Sequence, residues 1–192
     1  MGVAPFTTSD RLKAAANELF SAEGHGVTVE QIVARAGLAK PTFYAHFASK
    51  EALTKAVLEQ TVETFFTALE AEIARRDDPI ERLLAPFDVV SADLPDPDYR
   101  GCVCLNTAAS FPDPEHMSHA VLRAHDDRLA ARFAELARDT GVEDPGGLAR
   151  QLVVLFDGVK ARALVDPSER PSRDARQAAH TLLHAALPPS RS

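Results

Sequence analysis

Cysteine is scarce in this 192-residue chain: there are two, separated by one valine in Gly101-Cys-Val-Cys104. A pair so placed makes no disulfide framework, and such spare use of thiols agrees with a reducing compartment. Residues two apart on a helix point about 200° from each other, so Cys102 and Cys104 are expected to be small packing groups and not a redox pair. Long apolar runs are missing too. No stretch reaches the roughly 18 apolar residues that span a bilayer, and the N-terminus has no basic region leading into an apolar core, so the expected location is the cytoplasm. No segment alternates convincingly with period two, which argues against strands, and there is no internal repeat. Enzyme motifs are absent as well: no Gly-x-Ser-x-Gly elbow, no phosphate-cradling glycine-rich loop and no His-Glu-x-x-His helix. The chain is therefore not expected to be an enzyme or to carry a cofactor.

What is present is apolar enough, at 45%, for a globular protein, with a net charge of -7 that is unevenly spread. Residues 1–50 hold five Lys/Arg (Arg11, Lys13, Arg35, Lys40, Lys50) against four Asp/Glu, giving +1, and the remainder holds 16 against 24, giving -8. Phosphate would repel the acidic body, so only the first segment is a plausible face for DNA. This split predicts two domains, residues 1–50 and residues 51–192.

Leu12, Ala15, Ala16, Leu19 and Phe20 recur with helical spacing, so a first helix is expected, with Ser9 as its cap and Gly24 as its stop. Val29, Ile32, Val33 and Ala36 repeat the pattern, and Thr28 with Gln31 three residues on makes a capping box. After a turn at Gly37, a very short helix from Lys40 to His46 is predicted, in which Phe43 and Phe47 turn inward. Two short helices joined at a tight turn are a helix-turn-helix, a device for laying one helix in the major groove. With the phenylalanines inside, Lys40, Pro41, Thr42 and Tyr44 are left to face DNA. Lys40 can donate to guanine or phosphate, Thr42 can bond a base or offer its methyl to thymine, and Tyr44 and His46 can reach phosphate. The competing reading is a solvated helix in an interaction module that binds no DNA.

These residues, Leu12 to Phe20, Gly24, Thr28 to Ile32, Ala36-Gly37, Phe43-Tyr-Ala-His-Phe47, Ser49-Lys-Glu51 and Leu53, resemble the DNA-binding domain of the TetR family of bacterial one-component regulators. The resemblance covers about a quarter of the chain. It implies recognition-helix positions at Lys40, Pro41, Thr42 and Tyr44, backbone contacts at Thr28 and His46, and a phosphate contact at Lys50. Ala39 departs from the family's usual Ser or Thr cap. Gly101-Cys102 with Asn106 resembles a recurring C-terminal variant. The implied architecture is all-α: an N-terminal three-helix helix-turn-helix domain and a C-terminal helical domain for ligand binding and dimerisation. The implied partners are double-stranded operator DNA and an unidentified small-molecule inducer.

Further along, Ser49 is expected to cap a long helix to about Arg76, followed by helices over Pro79–Asp93 and Gly101–Ser110. Asp113-Pro114 and Asp144-Pro145 look like helix starts, and a last helix follows Ser172. A loop over Leu94–Asp98 is expected between the second and third of these. In the last two helices, the stripe Leu148, Leu152, Leu155, Phe156, Val159 is joined by apolar groups on other faces, and Ala175, Ala178, Ala179, Leu182 and Leu183 form a seam of small residues. The candidate dimer interface is Leu155, Val159, Ala175, Ala179, Leu182 and Leu183, against the alternative of ordinary core. Candidate ligand contacts are Cys104, Asn106, His119, Phe156 and Asp157, polar or aromatic groups within apolar helices, against the equal alternative that backbone or water satisfies the polar ones. His116 and His119, close in sequence to Cys102 and Cys104, could form a thiolate and imidazole site, which makes a thiol- or metal-sensing regulator the alternative; the spacing is loose, and the expectation is surface histidines, small buried thiols and no metal.

Overall fold

A computed structural model of the chain describes residues 7–93 and 101–188. Its first helix, α1 (Thr8–Glu23), is capped by Thr7, whose hydroxyl accepts from the Asp10 amide at 3.1 Å while Asp10 accepts from the Thr7 amide at 3.2 Å. Ser9, the expected cap, lies inside the helix instead. Three residues beyond Ser9 stands the buried Leu12, whereas three beyond Thr7 stands Asp10, and only the latter completes a reciprocal box. For α2 (Val29–Ala36) the Thr28–Gln31 box is present, with Thr28 N–H donating to Gln31 Oε1 at 2.8 Å. Gly37 closes α2 at φ +64, the left-handed region that suits glycine, so Leu38 N–H can donate to Val33 O at 2.8 Å.

Then comes α3 (Lys40–His46), which has no side-chain cap but has Pro41 in its first turn. Seven residues do not hold a helix in water unaided. Phe43, fully buried against Leu12, Leu19, Phe20 and Ile32, holds it. Ser49 caps α4 (Lys50–Ile73), which carries the chain out of this small unit. The apolar cluster of the small unit does not stop at α3. It takes in Leu53, Val57 and Leu58 of α4 and Val103 and Cys104.

The remaining described helices are α5 (Pro79–Asp93), α6 (Val103–Ser110), α7 (Met117–Asp139), α8 (Pro145–Arg162) and α9 (Arg170–Ala186). Asp144 caps α8 as expected, accepting from Gly147 N–H at 2.8 Å. Asp113 does not start α7. Its carboxylate accepts from Glu115 N–H and its carbonyl from His116 N–H, both at 3.0 Å, which closes an isolated turn. His116 stacks on Phe111 at 3.8 Å between ring centroids and caps α7 itself, its Nδ1 accepting from Ser118 N–H. Nor does α9 wait for Ser172. That hydroxyl is buried and donates to Phe87 O at 2.6 Å, so the helix begins two residues earlier with Pro171 in its first turn. Likewise α6 starts at Val103, leaving Gly101 and Cys102 outside it. The loop predicted over Leu94–Asp98 lies outside the described residues.

A second apolar cluster fills the larger unit, with Phe66 and Leu69 of α4, Leu83, Leu84 and Phe87 of α5, Phe133 of α7, and Leu152 and Phe156 of α8. Among the described residues no helix is long and apolar enough to cross a membrane.

Candidate nucleic-acid interface and effector cavity

Anchored by Phe43, α3 turns Lys40, Pro41, Tyr44 and His46 outward, with Thr42 half-buried. Tyr44 is 52% exposed, although its ring meets the Phe43 edge at 5.2 Å. Lys40 Nζ contacts Glu30 Oε1 at 2.5 Å, and that hydrogen bond and charge raise the lysine's pKa and lower the carboxylate's. Both side chains are about half exposed or more, so solvent screens the pair and a phosphate or base edge can displace Glu30. Thr28 is occupied by its cap, its hydroxyl donating to Gln31 Oε1 at 3.0 Å. Five of the seven sequence-predicted DNA contacts thus share one end of the small unit, on α3 (Lys40, Pro41, Thr42, Tyr44, His46), while Thr28 and Lys50 open α2 and α4.

Lys50 is tied inward. Its Nζ donates to His25 O at 2.6 Å, and burial lowers its pKa. The same His25 reaches across to α6, where its ring nitrogen Nε2 lies 2.7 Å from Thr107 Oγ1. Thr107 is wholly buried and spends its one proton on Val103 O at 2.6 Å, so it accepts from His25, which fixes the proton of the neutral ring on Nε2. Burial first, then the charges of Lys50 and His116, hold His25 neutral by lowering its pKa. His25 also packs on Phe20 at 4.8 Å and Phe111 at 5.8 Å. The loop between α1 and α2 is thereby fastened to both α4 and α6.

Between the two apolar clusters lies a cavity of about 670 Å³. One wall is α1 and α2, with Asn17, Glu18, Ser21 and Arg35. The other is built from Val62 and Phe65 of α4, Cys102 and Cys104, His125 of α7, and Phe156 and Lys160 of α8. Of the sequence-predicted ligand contacts, Cys104 and Phe156 line it. Asp157 does not, but pairs with Lys160 at 3.0 Å. Asn106 and His119 lie away from it, the latter with Nε2 on Phe111 O at 2.8 Å.

His125 and Lys160, 5% and 4% exposed, were not among the expected residues. Lys160 Nζ stands 3.4 Å from His125 Nε2 and 5.0 Å from the centre of the Phe156 ring. Burial, then Lys160 and Arg128, push His125 down to about 3, so it is neutral. Burial, then the charge of Asp157, lifts Asp126 to about 6. Lys160 keeps its proton because surrounding negative charge outweighs its burial.

The two thiols depart from expectation. Cys102 lies outside α6 with extended backbone, so the 200° separation does not apply, yet both cysteines are free, and Cys104 Sγ donates to Leu58 O at 3.8 Å. The neighbouring Cys104 thiol first, and then the Lys160 charge, lower the pKa of Cys102. Cys104 is shifted the other way, as the thiol that keeps its proton. Gly101 explains the closeness to α8: a Cβ there would meet Leu164 Cδ2 at 3.0 Å and Lys160 O at 3.2 Å.

The six candidate interface residues divide. Val159, Ala179 and Leu183 are at most 1% exposed within the single chain, where α8 and α9 pack on each other and on α5. They have no surface left to give a partner, because the seam of small residues serves this internal packing. Leu155, Ala175 and Leu182 are half-buried, and near them Val154 of α8 is 71% exposed, with Leu164 at 53% and Val165 at 71% in the turn that follows α8.

A short anchored helix with an outward polar face, set on a capped three-helix unit beside a larger helical body, has the arrangement of a helix-turn-helix. The profile "Bacterial regulatory proteins, tetR family" matches residues 12–57, and "Tetracyclin repressor-like, C-terminal domain" matches residues 118–189. The chain belongs to the TetR family. It is similar to a TetR-family transcriptional regulator of Streptomyces coelicolor, with 29% identity, TM-score 0.86, and 93% of this chain and 95% of that one covered. A TetR-type regulator of Streptomyces avermitilis shares 31% identity over 94% of this chain and 98% of its own, with TM-score 0.77. The transcriptional activator FasR of Mycolicibacterium smegmatis is 29% identical over 69% of this chain and 60% of its own length. The chain spans less than two thirds of the length of this and the other curated relatives it matches. These relatives are transcriptional regulators, not enzymes.

Proposed function

We propose that the chain is a cytoplasmic repressor that binds operator DNA as a homodimer and is released by a small-molecule inducer. The observation that carries this is α3: seven residues long, pinned by the fully buried Phe43, with its polar groups turned to solvent. A helix that cannot stand alone and is held outward in this way suits insertion in a major groove. Lys40, Thr42 and Tyr44 would read base edges, Pro41 would pack beside them, and Thr28, His46 and Lys50 would bear on the backbone. The reading unit is taken to end near residue 50, where α4 begins. A second copy would pair through Leu155, Ala175 and Leu182 together with the exposed apolar groups of α8.

The inducer would occupy the 670 Å³ cavity, touching α1 on one side and Phe156, Cys104 and Lys160 on the other. Because that space separates the small unit from the larger one, filling it would change the angle at which α3 is offered. DNA and inducer binding would then be linked reciprocally. Two recognition helices must meet successive grooves about 34–36 Å apart, so a modest change suffices.

Fluorescence anisotropy with the chain's own upstream DNA, across a salt series, tests the assignment. Lys40→Ala and Tyr44→Ala should each weaken the preferred operator roughly tenfold, while Lys50→Ala weakens all sequences alike. Wild-type affinity in all three would sink the assignment. A second reading, a regulator that responds through a thiol, is favoured by the depressed pKa of Cys102 at the cavity wall. If oxidant releases the wild type from DNA but not Cys102→Ser, that reading replaces the reversible inducer.

A further inference from the structure

On α9, His180 and His184 stand one turn apart on a single face, with ring centroids 4.3 Å apart and the two Nε2 atoms 3.1 Å apart. In neutral imidazoles one Nε2 carries a proton and donates it to the other, which is how two such nitrogens come this close. The same separation is a chelate bite. Metal–imidazole bonds are about 2.0–2.1 Å long, so nitrogens at this distance subtend roughly 98° at a shared ion, between the octahedral and tetrahedral angles. The backbone beneath the pair is held, since Ala179 and Leu183, each adjacent in sequence to one of the histidines, are 0% exposed. The rings themselves remain reachable, His184 exposed and His180 half-buried.

We propose that His180 and His184 form a bidentate site for a divalent transition-metal ion, with water completing the coordination shell. Two neutral nitrogen donors and no carboxylate select copper, nickel or zinc over magnesium or calcium, with affinity rising from zinc and nickel to copper. Water must supply the rest because, among the described residues, no group of three or more His, Cys, Asp and Glu side chains is placed to hold an ion. When the ion binds, the ring that carried Nε2–H takes up the Nδ1–H tautomer, so both Nε2 lone pairs reach the metal with no net loss of a proton, and the ion clips the last turns of α9. It binds the folded helix and not the unfolded chain, in which the two rings are apart, so it stabilises the fold. The site stands apart from the cavity and from α3, and does not depend on how either is used.

Isothermal titration of the full chain with nickel chloride is the first test. One ion per chain is expected, and a melting temperature raised by roughly 5–10 °C at a hundredfold excess over Kd. His180→Gln and His184→Gln should each weaken binding tenfold or more and remove the rise, while His116→Gln should leave both intact. In frozen samples with one equivalent of copper(II), electron paramagnetic resonance should show two imidazole nitrogens in the wild type and at most one in either variant. Unchanged nickel affinity in the double variant, a single-nitrogen copper spectrum in the wild type, or no nickel binding at 100-micromolar levels would each overturn the assignment.

Discussion

Thr107→Val isolates the fastening between the two units. Valine has nearly the shape of threonine, and position 107 is 0% exposed, so packing is kept while the hydroxyl is lost. Two hydrogen bonds go with it, one to Val103 O at 2.6 Å and one from His25 at 2.7 Å. The first costs little, because that carbonyl belongs to the helical ladder of α6. The second matters more: the His25 Nε2–H is left beside an apolar side chain with no acceptor. Stranding a buried neutral donor costs about 1–3 kcal/mol. For a chain of this size each kcal/mol moves the melting temperature by about 2–4 °C, so a fall of roughly 3–10 °C is expected. Circular dichroism melts give that figure, and hydrogen exchange of the loop around His25 should rise in step. His25→Ala should cost more, since it also removes the ring from Phe20 and Phe111. The double mutant should resemble His25→Ala alone. A melt within 1 °C of wild type, with exchange around His25 unaltered, would show that α6 and the small unit are not joined here.

Placing a charge on the uncovered face of α8, as in Val154→Glu, should leave the monomer's melt nearly intact because that side chain is 71% exposed, yet it should convert a dimer to monomer in sedimentation velocity. An unchanged dimer would mean that another surface pairs. Beside Lys160, two adjacent residues of α7 contribute to acid stability with opposite sign. His125, lowered to about 3, is neutral when folded, so its contribution is full above 6.5 and is lost as pH falls towards 3, by at most about 1.4 kcal/mol per pH unit. Asp126, raised from 3.8 to about 6, acts with the opposite sign: stability is regained as pH falls from 6 to 3.8. The two slopes offset each other between pH 6 and 4 in the wild type, and Asp126→Asn should remove the compensation, making urea midpoints drop over that range. Parallel profiles for the two proteins would contradict the assignment of these shifts.

The small unit was legible almost to the residue, and the reason is local. The Thr28–Gln31 box, Gly37 with its left-handed φ, and Ser49 above α4 each act within a few residues, so the amino acids that make them are also adjacent in the sequence. Where a local choice had two candidates, the outcome turned on a third residue: Thr7 outbids Ser9 because Asp10, not Leu12, stands at the reciprocal position. The cavity was only partly legible. Polar type within apolar helices singles out Asn106, His119 and Asp157, but residue type alone does not say which face is covered. Register says more. Leu148, Leu152, Phe156 and Lys160 follow one another at intervals of four, and His125 precedes Leu129 and Phe133 in the same way, which places both cations on buried stripes.

Three of the six candidate dimer residues, Val159, Ala179 and Leu183, are buried within the chain itself, and here periodicity cannot help. A helical repeat shows that Ala179 and Leu183 share a face, and it is the same repeat whether the neighbour is α5 and α8 of the same chain or a second copy. What separates the cases is the supply of apolar surface after the chain's own helices have met. Ala179 and Leu183 are used up at 0% exposure, while Val154 on α8 and Val165 in the turn after it remain 71% exposed. A monomer leaves such groups in water at a cost of about 25 cal/mol for every Å² of apolar surface. Side chains scattered singly would need no explanation, but Val154 borders a groove with Leu155, Gly158, Ala175 and Ala178, where small residues let another helix approach closely. This uncovered surface lies at the outer edge where α8 and α9 meet, not along the seam of α9, and it is there that the proposed pairing would bury apolar groups.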